Sequence, residues 1–189
     1  KQENINRLDC RSKISMMQKI FESKLIQNNH SLFVDKCNKT YERITYLINN
    51  KDTTWNYNLY NVFTVTAGDV YFHKLFKELV NIIKNYHKKD EPLWVQCWLN
   101  YHSDKQVLDW HDHKWLFHGY ISIDPKDTKT IFENGFEVKN KPGNIYIGPC
   151  NVKHKVVVEK PYSGYRITLG FDVINEPNYQ INTTSFVPI

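Results

Sequence analysis

The sequence predicts an α+β fold that is mainly β, with its strands arranged as a two-sheet sandwich or jelly roll. After Glu91 and Pro92 the chain consists of short segments rich in valine, isoleucine and aromatic residues. Turn residues separate these segments at intervals of about 8–12 residues, the spacing typical of all-β sandwiches and jelly rolls. Before that point, apolar residues recur at intervals of three and four, which indicates amphipathic helices. The helices therefore come first in the chain and the strands follow.

The first 90 residues are predicted to form three helices and two extended segments. The apolar spacing predicts helices over residues 12–26, 40–48 and 70–87. The helix at 70–87 has the clearest amphipathic pattern, and Asp69 is placed to cap its first turn. Residues 32–34 are interpreted as a short extended piece. Residues 57–66 are interpreted as a strand, because β-branched and aromatic residues predominate there.

The remainder of the chain is predicted to be a β core followed by a short tail. Strands are predicted over residues 93–101, 107–114, 117–123, 128–133, 144–147, 153–159 and 165–173. The sequence shows neither an internal repeat nor a low-complexity linker, so a single domain is expected over residues 1–189. Its parts would be a helix-rich support (1–90), the β core (91–175) and a C-terminal tail (176–189).

Composition limits the classes of protein to which this chain can belong. Of its 189 residues, 41% are hydrophobic and 24% charged, which is typical of globular proteins and not of disordered ones. No apolar run approaches the roughly 20 residues that span a bilayer, so no membrane helix is expected. The four cysteines are scattered without a CxxC pair, which argues against a zinc ribbon or a disulfide scaffold and favours a cytoplasmic protein. The net charge of +5 permits an anionic partner, but the basic residues form no aromatic-interleaved stripe.

The candidate functional residues lie in the segment 108–118. His111 and His113 stand two positions apart, so in an extended segment both imidazoles lie on one face and Asp112 lies on the other. Two neutral imidazoles on one strand face can chelate a divalent metal. The best candidate for a third ligand is His154, which precedes an apolar run about 40 residues downstream. The sequence therefore predicts a metal site on a β scaffold.

A longer pattern connects these histidines to later strands. It consists of Leu108-x-x-His111-x-His113, Gly143-x-Ile145-x-Ile147, His154 and Arg166-x-Thr168. This pattern resembles the Fe(II)/2-oxoglutarate-dependent oxygenase family over about residues 93–173. Members of that family have a double-stranded β-helix core, an HxD/E…H metal triad and a distal Arg-x-Ser/Thr. The resemblance implies a double-stranded β-helix (jelly roll) with the N-terminal helices packed on its major sheet.

The resemblance also implies a cofactor and cosubstrates: Fe(II), 2-oxoglutarate and O2. His111, His113 and His154 would be the catalytic metal ligands. Arg166 would clamp the far carboxylate of 2-oxoglutarate with two hydrogen bonds, geometry that lysine does not reproduce, and Thr168 would add a further one. The remaining cosubstrate contacts are assigned to Asn100 and Tyr120, on the strands before and after the histidine pair. The product would be a hydroxylated peptide, nucleobase or small metabolite, together with succinate and carbon dioxide.

One departure from the family pattern leaves alternatives open. His113 occupies the position of the family's carboxylate ligand; three imidazoles can still bind Fe(II), and Asp112 is an alternative ligand if a bulge turns it inward. The first alternative function is a three-histidine, cupin-type dioxygenase that does not use 2-oxoglutarate. The second is a non-catalytic jelly-roll module that binds an anionic partner. Asp109 is interpreted as a strand-entry residue or as an acceptor that orients an imidazole, and His118 as structural.

Overall fold

Two antiparallel sheets form the core of the structure, a computed structural model that describes residues 17–106, 108–177 and 185–189. The larger sheet has six strands in the order β1-β6-β3-β8-β2-β9, and the smaller has three in the order β5-β4-β7. The strands are β1 (Lys19–Glu22), β2 (Trp94–His102), β3 (Phe117–Asp124), β4 (Thr128–Phe132), β5 (Glu137–Lys139), β6 (Asn144–Pro149), β7 (His154–Val158), β8 (Arg166–Ile174) and β9 (Val187–Pro188).

The path of the chain through these strands is that of a jelly roll. From β2 to β8 the chain crosses repeatedly between the larger and the smaller sheet. The segment between β2 and β3 extends the smaller sheet, because a β-bridge joins His111 to His154 at the start of β7. This winding is a double-stranded β-helix, so the predicted fold class is confirmed.

Helices cover the outer face of the larger sheet. They are α1 (Lys24–Asn28), α2 (His30–Ile48), α3 (Val62–Val65) and α4 (Val70–His87), with a 3₁₀ helix at Tyr57–Leu59. One apolar core contains residues of α2 and α4, such as Phe33 and Leu79, together with sheet residues such as Leu99 and Leu169. In the described part of the chain, no helix has both the length and the apolarity needed to cross a membrane.

The other face of the larger sheet carries polar residues that point toward the smaller sheet. Tyr120 and Tyr146 pack there against Phe132 of β4 and Val138 of β5. Because strand side chains alternate between faces, the even-numbered residues of β2, β3 and β8 share this inner face. The register aligns Gln96 with Asp172 and His118; Trp98 with Gly170 and Tyr120; Asn100 with Thr168 and Ser122; and His102 with Arg166.

The helix predicted over residues 70–87 is confirmed at both ends. It begins after Asp69, whose Oδ1 accepts hydrogen bonds from the backbone N–H groups of Tyr71 and Phe72 at 2.8 and 3.1 Å. It ends at His87, and the capping residue Lys88 that follows adopts a left-handed conformation with φ of 60°. Local signals, a capping carboxylate and a strong amphipathic pattern, were therefore sufficient here.

Three predictions in the N-terminal half were wrong. Within the described part of residues 12–26, Lys19–Glu22 form strand β1, paired with β6, and the helix begins only at Lys24. Residues 32–34 belong to helix α2 instead of an extended piece. Residues 57–66 contain the 3₁₀ helix and α3 instead of a strand, because Asn61 caps α3 and its side-chain amide also donates to the carbonyls of Val95 and Ser185.

The β half was predicted more closely, with two exceptions. Residues 108–114 form no regular strand, and Val107 lies outside the described residues. Strand β5 was not predicted. In the tail, Val187–Pro188 pairs with β2 as strand β9, and residues 178–184 lie outside the described part.

Candidate metal centre

Three histidines converge at the edge of the smaller sheet. Each of His111, His113 and His154 offers one ring nitrogen, and these nitrogens all lie within 4.8 Å of one another. Backbone hydrogen bonds bring the segments together: His111 and His154 exchange two, at 3.1 and 2.9 Å, and the His113 N–H donates to the Cys150 carbonyl at 3.1 Å. This group can therefore hold a metal ion, and it is formed by the three residues selected from the sequence.

Two of these imidazoles are oriented through Nδ1. His111 donates its Nδ1–H to the backbone carbonyl of Asp109 at 2.6 Å, and Nδ1 of His113 lies 2.8 Å from Oδ1 of Asp172. Both rings therefore keep Nε2 for a metal, an arrangement common in protein metal sites. The carboxylate of Asp109 accepts instead from the Trp110 N–H, so only its backbone acts on the site. Asp112, the alternative ligand, is exposed and is not in the three-histidine group.

The surroundings favour the neutral, metal-binding form of two of the three imidazoles. Burial, with smaller contributions from the neighbouring histidines, lowers the pKa of His154 to about 3 and also lowers that of His111. Burial acts in the same direction on His113, but the Asp172 carboxylate outweighs it and the pKa of His113 is raised overall. Because only a neutral imidazole binds a metal, the apo site needs little deprotonation at neutral pH, apart from His113.

His118 packs beside the three histidines without being one of the group. It is buried on the inner face of β3, and its ring is stacked on those of His113 and His154, with centroids 4.3 and 4.7 Å apart. Burial lowers its pKa well below the usual value. His118 therefore packs against two candidate ligands, and its structural role stays a prediction.

Arg166 is a buried cation at the other end of the inner face. Arg166 is 3% exposed, and its Nη2 lies 3.2 Å from Nδ1 of His102. Among the described residues, no carboxylate lies within 4.0 Å of the guanidinium, and its Nε has no hydrogen-bond partner. A buried charge without a counter-charge is costly, so this environment favours an anionic ligand at Arg166.

The other predicted cosubstrate residues lie between Arg166 and the histidines. Asn100 donates to the Thr168 hydroxyl at 3.2 Å and accepts from the indole of Trp98 at 3.1 Å. Because Thr168 is two residues from Arg166, Asn100 lies toward the Arg166 end of the inner face. The Tyr120 hydroxyl donates to Asn140 at 3.0 Å, so any further contact would use its oxygen as an acceptor.

Sequence reasoning missed two residues of this site. Asp172, which contacts His113, shares strand parity with Arg166 and Thr168, so alternation along the predicted strand 165–173 placed it on the same face. His102 lies one residue beyond the predicted strand 93–101, and it links Arg166 to Thr54, whose hydroxyl is 2.8 Å from Nε2. The parity signal was available for Asp172, whereas the role of His102 depends on sheet register.

Gly170 makes room for Trp98 on the inner face. A Cβ at Gly170 would overlap the Trp98 indole, which packs against His113 with ring centroids 6.0 Å apart. Gly170→Ala is therefore expected to destabilise the protein by about 1–3 kcal/mol, the usual effect of overpacking. The effect would be measured by urea denaturation with tryptophan fluorescence. Gly68→Ala, where nothing lies within 4 Å, is the matched control; equal stability of the two variants would contradict the prediction.

Comparison with known proteins finds solved structures that are weakly similar to part of this chain, at low sequence identity. No protein-family model matches the chain, and no curated protein matches it. One similar solved structure is a protein from Neisseria meningitidis, 15% identical, with 41% of this chain and 72% of that chain covered and a TM-score of 0.32. Another is a cupin domain from Bordetella pertussis Tohama I, 16% identical, with 45% and 84% covered and a TM-score of 0.32. The jelly-roll assignment depends on the strand order given above.

Proposed function

We propose that this protein is an Fe(II)- and 2-oxoglutarate-dependent dioxygenase that hydroxylates its substrate. The observation that supports this most strongly is the buried Arg166, which has no anionic partner in the described part of the chain and shares an inner strand face with Asp172, the contact of His113. A metal-binding group at one end and an unpaired buried cation at the other are complementary to a dicarboxylate that chelates the metal.

The three histidines fit an iron(II) ion by the chemistry of their donors. Imidazole is a suitable ligand for iron, and burial keeps His111 and His154 neutral at physiological pH. Of the two residues that could take the position of the carboxylate ligand, His113 belongs to the group and Asp112 does not. His111, His113 and His154 would therefore hold the metal and leave coordination positions open.

The residues of β8 would bind and orient the cosubstrate. Arg166 would pair with its far carboxylate through the planar fork of the guanidinium, and Thr168 would add its hydroxyl. When bound, iron would activate O2 as the oxidant, with 2-oxoglutarate as the co-reductant that leaves as succinate and carbon dioxide, and the protein would supply position and a dry environment. Dryness is favoured here because Asn100, His118 and Thr168 are all buried.

The all-nitrogen donor set favours a second candidate, a three-histidine dioxygenase that does not use 2-oxoglutarate. Because such an enzyme binds no dicarboxylate cosubstrate, Arg166 would have no carboxylate of a cosubstrate to bind. A binding module for another anion would use Arg166 but would need no metal. The proposed enzyme uses both ends of the inner face. The first alternative uses only the metal site, and the second uses only Arg166.

The proposal is tested by anaerobic addition of Fe(II) and then 2-oxoglutarate to the metal-free protein. A weak visible charge-transfer band that needs both additions is expected, and His154→Ala should abolish it because one of the three ligands is lost. His73→Ala, which removes an exposed histidine of α4, is the matched control and should keep the band. Iron binding without the band would favour the cosubstrate-free dioxygenase, and absence of iron binding would exclude both oxygenases.

A further inference from the structure

Asp172 is a buried carboxylate that the activity proposed above does not by itself require. It lies on the inner face of β8, is 3% exposed, and is aligned with Gln96 on β2 and His118 on β3. Removal of a carboxylate from water is costly unless a positive charge or hydrogen-bond donors compensate. The neighbours of Asp172 therefore indicate what the carboxylate does.

In the described part of the chain, the one charge partner of Asp172 is His113, at 2.8 Å from Nδ1 to Oδ1, an ion contact without hydrogen-bond alignment. No lysine or arginine of that part lies within 4.0 Å of it. Gln96 does not compensate either, because its amide donates to the Tyr57 carbonyl at 3.0 Å and to the Ser185 hydroxyl. The compensating positive charge must therefore lie at His113 or be transmitted through its ring.

A metal ion on the far nitrogen of His113 meets this need. Nδ1 faces Asp172, so Nε2 is the nitrogen that remains for the group formed with His111 and His154. A carboxylate at the outer nitrogen fixes the tautomer and ring orientation of a ligating histidine and raises its basicity. The three imidazoles carry no negative charge themselves, so a buried carboxylate next to them partly balances a dication.

We propose that Asp172 is a positioning residue of the metal centre, which holds His113 with Nε2 toward the metal and provides the negative charge that the three-histidine donor set lacks. This inference rests on the metal site of the proposed function. It does not depend on 2-oxoglutarate or on hydroxylation, and it concerns metal affinity in any of the metal-dependent alternatives.

The test compares Asp172→Asn with Asp112→Asn in anaerobic titrations of Fe(II), with the heat of binding measured by calorimetry. Both variants remove one carboxylate close to the histidines at constant side-chain size, but Asp112 is exposed and Asp172 is buried against His113. Asp172→Asn is expected to weaken Fe(II) binding by about 10–100-fold, the usual effect of losing such a partner. Asp112→Asn is expected to change it by less than about 3-fold, because solvent and salt screen exposed charges.

A second readout separates positioning from a merely structural role. At a pH high enough to keep His113 neutral, metal-free Asp172→Asn should be as stable as the wild-type protein or more stable, because a buried charge without a full partner is removed. With Fe(II), the variant should gain less stability than the wild type, in proportion to its weaker binding. Equal loss of stability with and without metal would overturn the proposal and make Asp172 a structural residue.

The tautomer of His113 in the wild-type protein supplies a measurement that needs no Asp172 variant. With ¹⁵N-labelled histidine and diamagnetic Zn²⁺ as the probe, His113 should carry its proton on Nδ1 and bind metal through Nε2. Metal binding through Nδ1, or unchanged metal affinity in Asp172→Asn, would overturn the inference and leave the three-histidine site in place. A wild-type protein that binds neither ion would overturn the proposed function and this inference together.

Discussion

An Arg166→Met variant is expected to lose 2-oxoglutarate binding while its metal-free form stays at least as stable as the wild-type protein. Truncation of one partner of a buried, hydrogen-bonded charge pair costs about 2–5 kcal/mol, roughly a 30-fold or greater increase in Kd. Fe(II) binding should be unchanged, since Arg166 is outside the three-histidine group. Calorimetric titration of 2-oxoglutarate into the Fe(II) protein, without oxygen, measures the first effect.

The metal-free Arg166→Met variant is expected to keep or gain stability, although it loses binding, because of the surroundings of Arg166. The guanidinium is buried, its Nε has no hydrogen-bond partner, and no carboxylate of the described residues compensates it. Replacement of a buried charge by an apolar side chain of similar length is often neutral or stabilising, by about 1–4 kcal/mol. Urea denaturation of the metal-free protein measures this.

Arg43→Met is the matched control, because it makes the same substitution on the exposed face of α2. It should change neither 2-oxoglutarate affinity nor stability by more than about 0.5 kcal/mol. If Arg166→Met bound 2-oxoglutarate normally and lost several kcal/mol of stability, Arg166 would be a structural residue. The cosubstrate-free dioxygenase would then be the better proposal.

Local signals were sufficient for the elements that carry their own boundaries. Helix α4 has a capping Asp69 and a strong apolar stripe. In β8, apolar residues alternate with polar or small ones, and turn residues precede the strand. Both elements could therefore be predicted from their own residues. Strand β1 could not be, because its residues have helical spacing and its structure depends on pairing with β6, where Lys19 faces Ile147. Such pairing across more than 120 residues has no local signal.

The same distinction explains the site. The i, i+2 spacing of His111 and His113 predicts their common face directly, the apolar run that follows His154 pointed to the third histidine, and the resemblance supplied Arg166. The contacts of Asp172 and His102 follow from the register of β8 against β2 and β3, which no single segment encodes. The histidine pair was predicted on a regular strand, but it lies on an irregular segment joined to β7 by one bridge.

The metal-free protein is expected to lose stability steeply as the pH falls from 6.5 toward 4. Burial, followed by the charge of Arg166, lowers the pKa of His102 from 6.5 to about 4 in the folded state. Above pH 6.5 the ring is neutral in both states; below it the unfolded chain binds the proton and the folded chain does not, so unfolding is favoured. This difference corresponds to roughly 3 kcal/mol once the pH reaches the folded pKa.

The neighbouring histidines change the slope in both directions. His154 and His111 also have lowered pKa values and add to the loss of stability. His113 has a raised pKa, because Asp172 favours its charged form, and it therefore contributes stability below its folded pKa, fully so below its unfolded pKa, which offsets part of the loss. The net slope remains destabilising toward acid because three of these histidines have a lowered pKa and only His113 has a raised one.

His102→Gln isolates the share of His102. Glutamine can accept from Arg166 and does not titrate, so the stability lost between pH 6.5 and about 4 should shrink by roughly 3 kcal/mol. Urea denaturation across this range, in the presence of a chelator, measures the slope, and His73→Gln on exposed α4 should leave it unchanged. An unchanged slope in His102→Gln would mean that His102 titrates alike in the folded and unfolded chain, and so becomes charged in the folded protein over this pH range. It could not then accept the hydrogen bond that holds Arg166, and another residue would have to position the guanidinium.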